Sequence, residues 1–274
     1  MKIQVLVAAM NQKDKTLPQK MNIQSDAVIG NQCGLNSVEE ITYNGHAVKY
    51  LNTDGKGVGL NRNNSLMGAE GDVVVFADDD EKFFNNYTDI ISNAYKELPY
   101  ADAIIFNIES IGGGQDRRVI KKISKVNLLN SLNYGAVRLT VKNDSIKRAN
   151  IVFNRLFGGG TRYSSGEDTL FIVDMLKKGL KIYTYPAYIA SVEQTTSTWF
   201  CGYTEKYFYD KGALFAALDV KFSWVLCLAL LFKNRKRFKN ESIPFRNVIK
   251  LAKNGYKGYR RLISYKEYDE KKVK

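Results

Sequence analysis

The stretch Gly71-Asp72-Val73-Val74-Val75-Phe76-Ala77-Asp78-Asp79-Asp80 decides the fold. Residues 72–77 form a continuous, largely β-branched apolar run, with glycine before it and three carboxylates after it. A run without polar alternation predicts a strand covered on both faces, as in the parallel sheet of an α/β protein. Similar short runs stand at Ile3–Ala9, Asp26–Asn31, Ala47–Asn52 and Ala103–Ile108. Between them, Gly59–Glu70 and Phe83–Glu97 carry apolar residues at helical spacing; Tyr87, Ile91, Ala94 and Tyr95 share one face of the second. Strands alternating with helices predict a doubly wound sheet, whose ligands sit at the carboxyl ends of the strands. Asp78–Asp80 stands at one of those ends.

Farther along, Val137–Val141 reads as a strand and Asp144–Ala149 as a short helix. Glu167–Lys178 is an amphipathic helix that Gly179 stops, and Leu180–Tyr185 returns as a strand. The chain of 274 residues has 45% hydrophobic and 25% charged residues, ordinary globular values that exclude a disordered or repeat architecture. Its length suits one large domain, or a domain with an appendage. Three widely spaced cysteines, Cys33, Cys201 and Cys227, form no paired framework, so reduced thiols and a cytoplasmic setting are expected. The N-terminus passes straight into a strand pattern without the layout of a signal peptide.

The charge is uneven. Of the net +13, residues 233–274 carry +11 and the remainder only +2. A near-neutral body with a basic tail points to an anionic surface. Gly212–Phe232, just before the tail, is apolar and helical in pattern. Its uncharged stretch Phe222–Phe232 is eleven residues long, against the roughly 20 that span a bilayer. It is therefore read as a core helix or an interfacial one.

Three adjacent carboxylates repel one another, and a divalent cation offsets that cost. Oxygen donors of this kind suit Mg²⁺ or Mn²⁺, which retain waters and bind substrate phosphates. One carboxylate can hold the metal while another meets a ribose hydroxyl.

The stretch Gly59-Leu60-Asn61-Arg62-Asn63, followed by Ala69-Glu70-Gly71-Asp72 and the strand into Asp78-Asp79-Asp80, resembles the core of family-2 glycosyltransferases with the GT-A fold. That pattern runs from an Arg-Asn pair through Ala-x-Gly-Asp into an apolar strand and an Asp-x-Asp. Asp78 and Asp80 fall on its two acidic positions, and the resemblance covers roughly residues 1–200. It implies a mixed doubly wound sheet flanked by helices: a catalytic domain over 1–202, with a nucleotide-sugar half at 1–110 and an acceptor half at 111–202. A helical basic extension follows at 203–274.

By the same resemblance, Asp80 ligates the metal and Asp78 contacts the metal or the ribose. Asp79 belongs to the same nucleotide-binding run without a separate role. Arg62 lies near the nucleotide, where a fixed cation helps hold the diphosphate. Asn11 and Asn31, just after the first two strands, are placed to meet the nucleobase or ribose. Sugar transfer with inversion needs a base for the acceptor hydroxyl. Ser165-Gly166-Glu167-Asp168 resembles the family's Glu-Asp motif, with Asp168 the first candidate and Glu167 the second. Acidic residues in a first helical turn also favour the helix dipole by ~0.3–1 kcal/mol, with Ser164 or Ser165 as candidate caps. Gly158–Gly160 offers backbone close to sugar or acceptor, and Trp199 is a candidate stacking surface. Many relatives supply a late histidine to the metal. The sole histidine here, His46, lies between the second and third expected strands.

The implied activity is a metal-dependent hexosyltransferase using a nucleotide-sugar, UDP-linked by expectation. Its acceptor is a saccharide, lipid-linked at the inner face of the plasma membrane, in bacterial capsule or O-antigen synthesis. An anionic membrane surface is the expected partner of the tail, and no nucleic acid is expected. Two other readings stand beside this one. A nucleotidyltransferase would carry a glycine-rich loop after the first strand, where this chain has Met10-Asn11-Gln12-Lys13-Asp14-Lys15. A non-catalytic protein that binds nucleic acid or membrane would account for the tail but not for Asp78–Asp80 beside Arg62.

Overall fold

The structure is a computed structural model that describes residues 1–112, 119–193, 202–238 and 243–273. Ten strands form one mixed sheet: β1 Ile3–Met10, β2 Asp26–Gln32, β3 Ser37–Tyr43, β4 His46–Thr53, β5 Val73–Asp78, β6 Glu81–Phe83, β7 Ala103–Ile111, β8 Ser124–Lys125, β9 Leu139–Lys142 and β10 Ile182–Glu193. Their order is β3-β4-β2-β1-β5-β9-β7-β10-β6, with β8 also on β10. β4, β2, β1 and β5 run parallel, whereas β9 is antiparallel to both β5 and β7. The helices are α1 Leu17–Lys20, α2 Val58–Met67, α3 Tyr87–Glu97, α4 Leu128–Ser131, α5 Asn143–Ala149, α6 Glu167–Lys177, α7 Glu205–Ala217, α8 Ser223–Lys233, α9 Phe245–Tyr259 and α10 Tyr265–Val273.

Side chains alternate across the sheet, so parity decides which layer each residue joins. Val5, Val7, Val73, Val75 and Ala77 pack with Tyr87, Ile91 and Ala94 of α3. Leu6, Val74 and Phe76 pack on the opposite face with Leu66 of α2 and Phe171, Ile172 and Met175 of α6. Asp78 shares parity with Val74 and Phe76, so the strand delivers its carboxylate to the α2 and α6 side. The chain leaves β1 toward β2 on one side and returns through β5 on the other. The crevice at the carboxyl ends of β1 and β5 is therefore the switch point where such sheets bind ligands.

The sequence does not mark the short elements β6, β8, α1 and α4, and three larger differences stand beside them. β3 is an additional strand, joined to β4 by Asn44-Gly45 with φ of 49° and 81°. That Asn-Gly pair is the hairpin signal, but the strand is largely exposed and carries no apolar run. β10 continues past Tyr185 to Glu193, and the register shift between Thr184 and Tyr188 accommodates Pro186. The apolar helix expected over 212–232 is two helices, because Asp219 and Phe222 take left-handed φ of 48° and 65°.

The C-terminal helices join the body through a third apolar cluster. Phe208, Leu214, Phe215, Val248 and Leu251 pack with Phe157, Tyr163, Leu170 and Val173. α7 and α9 cross with their backbones in close approach. A Cβ on Gly255 would lie 1.8 Å from the Tyr209 carbonyl oxygen, and one on Gly212 would lie 1.8 Å from that of Ala252. Gly255→Ala forces this crossing apart. The expected cost is about 1–3 kcal/mol, as for overpacked cores, read as a lower urea midpoint. An unchanged midpoint would contradict the packing described.

Candidate active site

Arg62, in α2, stands where the two acidic motifs meet. One guanidinium nitrogen donates to Asp78 Oδ1 at 2.8 Å and the other to Glu167 Oε1 at 3.0 Å. The arginine is only 5% exposed, while the Asp78 side chain is 41% exposed at the strand end. Burial works against the charge on Arg62, but Asp78, Glu167 and Asp168 outweigh it and raise its pKa. An aromatic floor lies beneath. The guanidinium carbon is 5.5 Å from the Phe153 ring centre, Phe153 stacks on Phe171 at 3.9 Å, and Phe76 meets both edge-on. Low polarity around the guanidinium strengthens both ion pairs and makes either one costly to lose.

α2 is fixed at the strand ends by its asparagines. Asn61 donates to the carbonyls of Ala9 and Gly30 at 3.1 and 2.9 Å. Asn63 donates to the Phe153 carbonyl and accepts from the Phe153 amide. The Arg-Asn pair read in the sequence thus supplies one ionic hub and one backbone clamp.

The start of α6 is built with similar economy. Its N-cap is Gly166 at φ 123°, where a Cβ would press on Leu214 of α7 at 2.6 Å. Neither Ser164 nor Ser165 caps the helix. Ser164 instead donates its amide and hydroxyl to Asp210 of α7, which also pairs with Lys206. Glu167 Oε2 accepts from the Gly166 amide at 3.1 Å, so each of its oxygens has a partner. A Cβ on Gly158 would lie 2.8 Å from that oxygen. The glycine-rich loop 158–160 therefore makes room for Glu167, and Gly159 accepts a hydrogen bond from Val58 of α2 at 3.3 Å. Burial, then the charge of Asp168, push the Glu167 carboxyl up to about 7 against the pull of Arg62. Asp168 is half-buried, accepts from the Thr169 amide at 2.8 Å, and approaches Gly135 with its other oxygen. Lys211 of α7 interacts with Asp168, and burial lowers the lysine's pKa.

The acidic run divides by residue. Asp79 turns to the β1 loop and accepts from the Met10 amide and the Gln12 side chain at 3.3 and 3.0 Å. Burial raises its pKa. Asp80 is exposed in the turn before β6. Asn31 is buried, and its amide group is taken up by Gln12 backbone and Asn52. Asn11 is exposed at the end of β1, with φ 55°. The structure thus brings Arg62, Asp78, Glu167 and Asp168 together, with Asp79, Asp80 and Asn11 at the same strand ends. His46 lies at the opposite end of the sheet, 3.9 Å from Asp26. Trp199 lies outside the described residues.

Among the described residues, no three of His, Cys, Asp and Glu lie together as a metal cage. Asp78 and Asp80 are two hard oxygen donors on one turn. Asp78 gives one oxygen to Arg62, so a hard ion such as Mg²⁺ or Mn²⁺ would take its other oxygen and Asp80, with phosphate oxygens and water completing the shell. Residues the sequence reading passed over are Gln12, Asn61 and Asp210. Asn61 lies inside the quoted motif, but nothing in the sequence pairs Asp210 with a serine 46 residues away.

No family model matches the sequence. No curated protein matches it either. Solved structures do resemble it in fold. The S. aureus TarS fragment 1–349 in complex with UDP-GlcNAc superposes with a TM-score of 0.65 at 15% identity, over 97% of this chain and 93% of that one. The same fragment with UDP gives 0.62 at 16% identity, with the same coverage. A longer TarS structure gives 0.61 at 19% identity, over 88% of this chain and 44% of that one. The chain has a GT-A-like glycosyltransferase fold: a central, mostly parallel mixed sheet flanked by helices.

Arg62→Met keeps the stem over Phe153 and leaves Asp78 and Glu167 unpaired. The expected loss is about 3 kcal/mol in chemical denaturation, at the low end for a broken buried pair. Glu167 supplies a pH test. Its folded pKa is raised from 4.5 to about 7, so its contribution to stability is full below about 4.5 and is lost as pH rises through about 7. Relative to Glu167→Gln, the parent chain should therefore lose thermal stability between about pH 4.5 and about pH 7. A constant difference between the two would contradict the raised pKa.

Proposed function

We propose that the chain transfers a hexose from a nucleotide-sugar, UDP-linked, to a saccharide hydroxyl with inversion at the anomeric carbon. The observation that carries this reading is the convergence of Asp78, Arg62, Glu167 and Asp168 at the β1/β5 switch point. The fold shared with UDP- and UDP-GlcNAc-bound TarS supports the choice of donor.

In this reading Asp168 is the base. It follows the buried Glu167 on the same helical turn, and Glu167 already spends both oxygens on Arg62 and Gly166. As the acceptor oxygen bonds to the anomeric carbon, Asp168 takes its proton. The bond to the diphosphate breaks on the opposite face, and the nucleoside diphosphate leaves with the electron pair. Glu167 and Arg62 act as positioning residues. Arg62 is too enclosed to serve as the diphosphate clamp expected from its motif, and it holds Asp78 and the α6 turn in mutual register instead. Asp80, with Asp78, would hold a divalent cation, Mn²⁺ or Mg²⁺. Such an ion would supply charge compensation for the departing diphosphate. Asp79, tied to Gln12 and Met10, fixes the loop after β1 that carries Asn11 to the nucleoside side of the crevice. Asn31 shapes the same loop through Gln12 and Asn52.

The acceptor in this proposal is carried on a lipid, in a capsule or O-antigen type of synthesis. Support comes from the basic charge of residues 233–274 beside an apolar helix.

A panel of nucleotide-sugars with Mn²⁺ tests the reading, by thermal shift for binding and by diphosphate release for turnover. Asp168→Asn should lower transfer by roughly 10²–10⁴ while UDP still binds, the range for loss of a general base. Asp80→Ala should remove the Mn²⁺ dependence of UDP binding. Transfer by Asp168→Asn at the parental rate would overturn the assignment of the base.

A further inference from the structure

The C-terminal helices bury one side of α8 and leave most of the other exposed. Ser223, Cys227 and Leu231 face inward. Phe222, Val225, Ala229 and Phe232 follow the opposite spacing and fall within one narrow stripe. Phe222 is 67% exposed, Val225 57% and Phe232 49%, the last with one edge on Phe245 of α9 at 5.1 Å between ring centres. Outward-facing apolar side chains at helical spacing are a patch that needs a partner. Phe222 also holds a left-handed backbone at φ 65°, a conformation unfavourable for an aromatic residue, and displays its ring to solvent. Lys221 Nζ lies 5.2 Å from that ring. Exposed Lys233, Arg235, Lys236 and Arg237 follow at the other end of the stripe. No helix among the described residues is long and apolar enough to cross a membrane. An eleven-residue helix is only about 16 Å long.

We propose that the exposed face of α8 lies in the surface of an anionic membrane, with Phe222, Val225 and Phe232 among the acyl chains and the flanking cations on the lipid headgroups. The proposal rests on the glycosyl-transfer reading only for its purpose, which is to bring a lipid-borne acceptor to Asp168. The surface itself follows from exposure and charge. A stripe of apolar side chains with cations at both ends matches a leaflet whose headgroups are negative and whose interior is apolar. A protein partner would need no such run of cations. The place of α8 in the fold agrees with this role. A cavity of about 170 Å³ is walled by Leu230 of α8, Asn234 and Arg237 just after it, Lys211 of α7 and Thr169 of α6. Thr169 is the neighbour of Asp168. One helix therefore presents one face to the bilayer and lends the other to a cavity lined in part by Lys211, which interacts with Asp168.

Vesicle flotation with the full chain tests this without any sugar substrate. The chain should float with vesicles containing a third phosphatidylglycerol and stay behind with pure phosphatidylcholine. Added salt should weaken the binding. Phe222→Ser with Phe232→Ser should reduce binding about tenfold or more at unchanged melting temperature, and replacing Lys233, Arg235 and Lys236 by Gln should do the same. Nucleotide-sugar hydrolysis by these variants should stay at the parental rate, so failure of docking and failure of the catalytic reading are separate results. The proposal is overturned if the parent does not float with anionic vesicles, or if the double variant floats equally well. It is likewise overturned if the parent is a dimer in solution that the double variant converts to a monomer.

Discussion

The buried guanidinium of Arg62 is the constraint around which the candidate site is arranged. Its two ion pairs join Asp78, at the end of β5, to Glu167, at the start of α6, the second spanning 105 residues of chain from Arg62. A cation at this depth needs both partners. The strand must end where it does and α6 must begin where it does, or the charge is stranded. Asp168 is carried into place as the next residue of that turn. Ionic balance beneath the site thus sets the position of the groups at its surface.

The second support comes from the C-terminal helices. Asp210 of α7 takes the amide and hydroxyl of Ser164, and Leu214 fills the space beside Gly166. The turn that presents Glu167 and Asp168 is therefore held from one side by Arg62 and from the other by α7. The helices after residue 203 share an apolar cluster with Leu170 and Val173 of α6. α9, within the basic segment 233–274, belongs to the same cluster, so part of that segment is packed onto the body.

Much of this was legible in sequence because it depends on local pattern. The continuous apolar runs at Ile3, Asp26 and Asp72 became the central parallel strands, since a strand buried on both faces leaves little room for polar residues. Asp78 and Glu167 were legible as motif positions. Less legible were features that arise from contacts distant in sequence. Arg62 carried a motif signal but not its depth, because burial depends on Phe153 and Phe171 arriving beneath it. β3 was missed because an exposed edge strand needs no apolar run. The split of the 212–232 helix was hidden because Phe222, an apolar residue with no turn propensity, adopts a left-handed backbone. The roles of Asp210 and Asn61 are set by partners 46 and 52 residues away.

A crystal structure of the chain with UDP and Mn²⁺ tests the central claim most directly. The account predicts the diphosphate at the carboxyl ends of β1 and β5, metal density between Asp80 and the phosphate oxygens, and Arg62 still paired with Asp78 and Glu167 beneath them. The Asp168 carboxylate should face the side of the terminal phosphate where a sugar would be attached. A nucleotide bound elsewhere on the sheet, or an Arg62 that leaves Glu167 to take the diphosphate itself, would contradict it.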